Sequence, residues 1–141
     1  MNIARLIVSI IVVLVGMFAF DFIYHGMLLG DSYKETAEAW RPEAEMMERY
    51  KFKVIYDLLI AIGFCTLWAF GFAGKGIKCG VVYGFLFGLT GVGGMLMNFI
   101  FTPIPDQFMM PWAVGGMLAS IISGILVSLA YKAKATAVSD E

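Results

Sequence analysis

The sequence predicts an all-α integral membrane protein: a bundle of four helices in two hairpins, forming one domain over residues 1–141. Three observations lead there. The chain is 60% hydrophobic and only 15% charged, where a soluble domain of this size carries about a quarter charged residues. Its apolar residues gather in four runs, each near the roughly 20 residues that cross a hydrocarbon core. It holds 16 glycines, a residue commoner in membrane helices than in soluble ones.

The first run, 6–29, is too long for the apolar region of a signal peptide, and no small-x-small cleavage signal follows it. It reads as a retained span. It is rich in Ile and Val and has no ladder of small residues, so one side should face lipid. The loop that follows, 30–53, should be ordered. Ser32 and Glu35 have the capping-box spacing of a short helix. Pro42 suits a first helical position, and Glu43 and Glu45 favour the positive end of a helix. From there the pattern runs unbroken into the second run, 54–72. Glu45 and Arg49 share a face, as do Lys53 and Asp57. A helix from Pro42 to Phe72 would be about 46 Å long and would project beyond the bilayer.

The third run, 80–101, carries Gly80, Gly84 and Gly88 in a small-xxx-small ladder, continued by Gly91 and Gly94. The fourth, 111–131, has Gly116, Ser120 and Gly124, and one position earlier Gly115, Ala119 and Ser123. Small residues let membrane helices approach closely. The third and fourth spans should therefore pack on each other, or these faces should hold a second copy of the chain. Cys65 and Cys79 should be free thiols.

Loop charge sets the orientation. Arg5, Lys75, Lys78, Lys132 and Lys134 flank the spans on one side, and Lys and Arg near span ends favour the cytoplasm. Both termini should be cytoplasmic, with two loops outside: the long segment 30–53, of mixed charge, and a short one containing Asp106. Trp40 and Trp112 then lie near the outer ends, where interfacial aromatics belong.

The two hairpins show a faint likeness. Asp21-Phe22-Ile23-Tyr24-His25 aligns with Asn98-Phe99-Ile100-Phe101-Thr102, and Pro42-Glu43-Ala44-Glu45-Met46-Met47 with Pro105-Asp106-Gln107-Phe108-Met109-Met110. This suggests an internal duplication, the parallel kind of repeat seen in some transporters.

The candidate site comes from polar residues at membrane depth, which are costly and mark function by default. Asp21 falls about 5–6 Å outward from the middle of its span and His25 about one turn further. Asp57 falls about 10 Å outward and Asn98 about 12 Å. All four lie in the outer half. One reading is structural: Asp21 pairs with His25, Asp57 with Lys53, and Asn98 bonds across helices. A second has Asp21, His25 and Asp57, with Asn98 as a neutral partner, converge on an ion or the head of a small ligand. Carboxylate with imidazole suits a proton relay or a divalent cation. A third uses Met27, Met46, Met47, Met95, Met97, Met109, Met110 and Met117, because thioethers select Cu(I).

Several classes are disfavoured. A net charge of −1 gives no basic footprint for nucleic acid. The single histidine rules out a His-rich metal motif. No Ser or Cys stands beside a base at a recognisable spacing, and Gly91-x-Gly93-Gly94 follows no strand, so it means packing rather than a phosphate loop. No catalytic residue, cofactor or particular metal is indicated, and an enzyme is the weakest expectation.

Tyr24-His25-Gly26, Leu28-Leu29, Tyr33 and Trp40-Arg41-Pro42-Glu43-Ala44-Glu45-Met46 together resemble a group of small bacterial four-helix membrane proteins of unknown function. The likeness covers the first hairpin, under a third of the chain. It implies a bacterial inner membrane and a four-span plan, and brings no activity. The expectation is a small, non-enzymatic membrane protein with a polar ion or ligand site opening outward. The alternative is an accessory subunit or homo-oligomer without ligand chemistry.

Overall fold

A computed structural model describes residues 1–132, and the Lys134 of the charge argument lies outside them. Among the described residues every regular element is helical. Helix α1, Ile3–Asp21, is capped by the Asn2 side chain, which accepts from the Arg5 amide. At Phe22 it widens without a break into a π-helix, Phe22–Leu28. A short helix α2, Gly30–Glu35, and a 3-10 turn, Ala37–Ala39, lead to α3, Glu43–Gly71. Helix α4 spans Gly76–Phe101; a 3-10 turn at Asp106–Phe108 then opens α5, Met109–Ala130. Four stretches are long and apolar enough to cross a membrane: Ile3–Leu28, Glu43–Gly71, Gly76–Phe101 and Asp106–Ala130.

Two local expectations need correction. The short helix does not start from a Ser32 cap. It begins at Gly30, with Leu29 before it and no side-chain cap. The reason is the π-helix: Leu29 N–H donates to Tyr24 O at 3.0 Å and Tyr33 N–H to Leu29 O at 3.0 Å. One coil therefore passes into the next, and Ser32 lies inside it. Pro42 is the residue before α3 rather than its first turn, with φ −52° and ψ 142°. Glu43 and Glu45 still occupy that first turn.

Consecutive long helices run in opposite directions. Start of α1 meets end of α5: Asn2 N–H donates to Tyr131 Oη at 2.9 Å. End of α1 meets the first half of α3, where Lys53 reaches Asp21. Helices α3 and α4 reverse through Gly74 and Gly76, at φ 83° and 77°, a conformation that glycine adopts without strain. Above that turn the Tyr83 hydroxyl donates to Phe64 O at 2.7 Å, and the Phe64 ring packs on Tyr83 and Phe87. One end of the molecule thus gathers Asn2, the 72–75 turn and Tyr131 (the termini end). The other gathers α2 and the 102–108 connection (the loop end).

The small-residue ladder joins α4 to α5. A Cβ on Gly80 would overlap Gly124 O, one on Gly84 would overlap Ser120 O, and one on Gly88 would crowd Met117 Sδ. Beyond Gly88 the ladder stops serving this purpose: a Cβ on Gly91, Gly93 or Gly94 would meet no neighbouring element within 4 Å. Gly116 is equally open, whereas Gly115 makes room for the Tyr24 ring. Buried Val13, Ala61, Phe64, Cys65, Trp68, Tyr83, Val127 and Tyr131 form a core that lies between mid-molecule and the termini end. Toward the loop end, α3 before Asp57 and α4 after Gly88 are largely exposed.

Candidate functional site

The polar groups of the loop end form two linked clusters. In the first, the Lys53 ammonium donates to Asp21 Oδ2 on α1 at 2.7 Å and to Asp57 Oδ2 on its own helix at 2.5 Å. The Phe18 ring lies beneath it, 4.7 Å from the nitrogen. Helical spacing puts Lys53 and Asp57 on one face, and that face meets α1. Asp57 is 2% exposed. A carboxylate that deep in apolar surroundings needs a counter-charge, and Lys53 supplies it while also tying α1 to α3.

The second cluster is built by the π-helix. Its wider turn carries Tyr24 and His25 toward α5 and α2. The Tyr24 hydroxyl donates to Pro111 O at 2.9 Å, with its ring in the gap left by Gly115. His25 Nδ1 is 2.8 Å from the Tyr33 hydroxyl of α2, and the Trp112 indole N–H donates to that same oxygen at 2.8 Å. Trp112 can only donate, so the phenol oxygen accepts from it and has its own hydrogen to give to His25 Nδ1 when the neutral imidazole carries its hydrogen on Nε2. Around this junction Tyr33 stacks on Phe108 with centroids 4.7 Å apart, and Trp40 leans on Tyr33 and Phe108. Trp40 is fixed in turn by its N–H to Thr36 Oγ1 at 2.9 Å. Burial pushes the Tyr33 phenol above its ordinary pKa, with the Asp21 charge adding to the effect and the Trp112 hydrogen bond opposing it.

Asp21 is the link between the clusters. It is held by Lys53, and its charge acts on both His25 and Tyr33. The order through space is therefore Asp57, Lys53, Asp21, His25, Tyr33, Trp112.

Of the four residues singled out from the sequence, Asp21, His25 and Asp57 belong to this chain of groups. Asn98 does not: it is exposed on α4, and its carbonyl, not its amide, is engaged, accepting from the Thr102 hydroxyl and amide. Asp21 and His25 make no direct hydrogen bond, because each is claimed by another partner across helices. Tyr33 and Trp112 were not expected in the site. They lie 79 residues apart, and such a pairing leaves no spacing pattern to read. The methionines of the copper reading stand apart: Met27, Met46, Met47, Met97, Met109 and Met110 are exposed on four different helices. Among the described residues no three His, Cys, Asp or Glu side chains gather as metal ligands. Both cysteines are free thiols.

Comparison with known proteins finds no matching family model, curated protein or solved structure.

Proposed function

We propose that this is a small, non-enzymatic inner-membrane protein of four spans whose loop end faces outward and binds protons. Protonation of His25 changes how the outer helix α2 is docked. The observation that carries this reading is the double engagement of the Tyr33 hydroxyl by His25 and Trp112, next to the Asp21–Lys53–Asp57 chain. Neutral imidazole with its hydrogen on Nε2 accepts the phenol hydrogen at Nδ1. Imidazolium has a hydrogen on both nitrogens. Nδ1–H must then donate, Tyr33 Oη receives two donors, and the phenol hydrogen loses its acceptor in a half-buried place. Histidine is the side chain suited to such a switch between about pH 5 and 8.

The proton is favoured over a divalent cation by Lys53. Its ammonium already sits between the two carboxylates that a cation would bridge. Orientation is supported by charge. Among the described residues the charges at the termini end, Arg5, Lys75, Lys78 and Lys132, are all basic and flank short connections, whereas at the loop end Lys34, Arg41, Arg49, Lys51 and Lys53 are mixed with Asp31, Glu35, Glu38, Glu43, Glu45, Glu48 and Asp106; basic residues beside short connections favour the cytoplasm. The duplication gains support from the two prolines: Pro42 and Pro105 have the same extended backbone and each precedes the helical entry to a second hairpin arm.

Amide hydrogen exchange of the full chain in lipid discs tests the reading. After correction for intrinsic rates, Gly30–Ala39 should exchange faster at pH 5 than at pH 8. The difference should vanish in His25→Gln. Equal corrected protection at both pH values, or an unchanged difference in the variant, would contradict it.

A second reading has its own observation. Gly91, Gly93 and Gly94 are open to the surroundings on the exposed half of α4, which suits an accessory subunit or homo-oligomer. A self-oligomer in native mass spectrometry, abolished by Gly94→Leu, would favour it. Gly84 cannot serve in that experiment, because it is packed against Ser120 inside the chain.

A further inference from the structure

A cavity lies away from the polar chain, at the termini end. It has a volume of about 450 Å³ and is lined by Asn2, Arg5, Ala69, Ala73, Tyr131 and Lys132. We propose that this cavity binds the headgroup of an anionic phospholipid, with its phosphate held by Arg5, Tyr131 and Lys132.

Every polar side chain with a free hydrogen at its rim is a donor. The Arg5 guanidinium has five N–H groups, of which one hydrogen-bonds to Lys132 O. That bond orients the fork and leaves donors for an oxyanion, which guanidinium engages in bidentate fashion. The Tyr131 hydroxyl accepts from the Asn2 amide at 2.9 Å and retains its own hydrogen to give. Tyr131 itself is anchored, 4% exposed, with its carbonyl facing the Trp68 indole N–H. The cavity also abuts the first turn of α1, at the positive end of the helix dipole.

Charge pairing separates this end from the other. At the loop end Lys34, Arg41, Arg49 and Lys53 are each bridged to a carboxylate, and Lys51 lies over the Phe52 ring instead. At the termini end Arg5, Lys75, Lys78 and Lys132 have no carboxylate partner among the described residues. Two of these cations, Arg5 and Lys132, line the cavity itself, and an anion seated there would neutralise them. A lipid is the source that the surroundings favour. Ala69 on α3 and Ala73 in the turn after it give the cavity an apolar wall; α3 is one of the helices apolar enough to cross the membrane, and the opening lies at the end of that helix, where headgroups sit. Basic pockets between membrane helices are suited to anionic headgroups. Small residues at positions 69 and 73 are what keep the space open.

Native mass spectrometry of the full-length protein, with phosphatidylglycerol and phosphatidylcholine offered in equal amounts, tests this. One phosphatidylglycerol should be retained in preference. Arg5→Gln and Lys132→Gln should each weaken that preference by about fivefold. Lys78→Gln, outside the cavity lining, should change it little. Ala73→Leu keeps every charge but fills the space, and should abolish the preference; helical circular dichroism and a monodisperse elution profile verify that each variant folds. If an arginine variant fails to fold, Ala73→Leu and a loss of preference in high salt decide the matter. Equal retention of the two lipids would overturn the proposal. So would full retention by Ala73→Leu, which would reduce the effect to surface charge. Displacement of the lipid by millimolar inorganic phosphate would reassign the site to a soluble anion.

Discussion

Lys53 bears the heaviest electrostatic duty of any side chain in the described residues, since it neutralises a buried carboxylate and a half-buried one on two helices. Breaking a buried ion pair by deleting one partner costs about 3–5 kcal/mol, while replacing the whole set by apolar or neutral groups is often tolerated. Solvent screening at Lys53 and Asp21, each about a third exposed, places the expected cost of Lys53→Met near the lower bound, about 3 kcal/mol. Thermal unfolding in detergent should show that loss, and Lys53→Met combined with Asp21→Asn and Asp57→Asn should recover most of it. No recovery would mean that Lys53 acts through packing on Phe18 rather than through charge. Half of this arrangement was legible in the sequence. Lys53 and Asp57 are four apart on a regular helix, and helical geometry alone joins them. Asp21 and His25 are also four apart, yet the pairing that one reading of this spacing gives is not made: Lys53 and Tyr33 approach from other elements, and spacing along one helix carries no record of them.

Among the elements, the π-helix is the one that periodicity cannot anticipate. Phe22–Leu28 contains no proline, and the segment reads as the continuation of an apolar α-helix. What selects the wider turn is tertiary: the fit of Tyr24 against Gly115 and of His25 against Tyr33. Such segments frequently mark functional sites. Docking of α2 through Tyr33 has a pH limit on the alkaline side. Because burial raises the phenol pKa in the folded chain, this docking contributes stability in full below pH about 10, the unfolded value, and loses it as pH rises through the folded value. A late-titrating phenolate, absent in Tyr33→Phe, should appear in ultraviolet absorbance above pH 10. A Tyr33 that ionises with the exposed tyrosines would contradict its burial. The glycine ladder gives a sharper contrast. Gly124→Ala places a methyl into Gly80 O and should destabilise by about 1–3 kcal/mol. Gly94→Ala meets nothing and should stay within about 0.5 kcal/mol. The spacing of small residues revealed that α4 would pack closely, and the structure limits that packing to Gly80–Gly88.

For the molecule as a whole, the four spans were legible because hydropathy and length alone decide whether a helix can cross a membrane. The alternation of direction followed from the short connections. The uneven core was not legible. The aromatic side chains Phe64, Trp68 and Tyr83 fill the half near the termini, while the loop half is tied by polar bonds and a rim of aromatic rings rather than by buried apolar bulk. That half has fewer packing contacts to lose, so local opening should begin there. A proton-responsive device belongs in such a place, because a single hydrogen bond is a large fraction of the local stability. With one histidine in the chain, the imidazole can be observed alone. Nitrogen NMR of histidine-labelled and tryptophan-labelled protein in lipid discs, titrated from pH 5 to 8, should show the Nδ1 resonance of His25 as a hydrogen-bond acceptor at high pH. It should show one titration step, and the Trp112 indole N–H should shift with the same midpoint. A His25 that does not titrate in this range, or a Trp112 signal indifferent to its titration, would contradict the proposed proton-linked docking of α2.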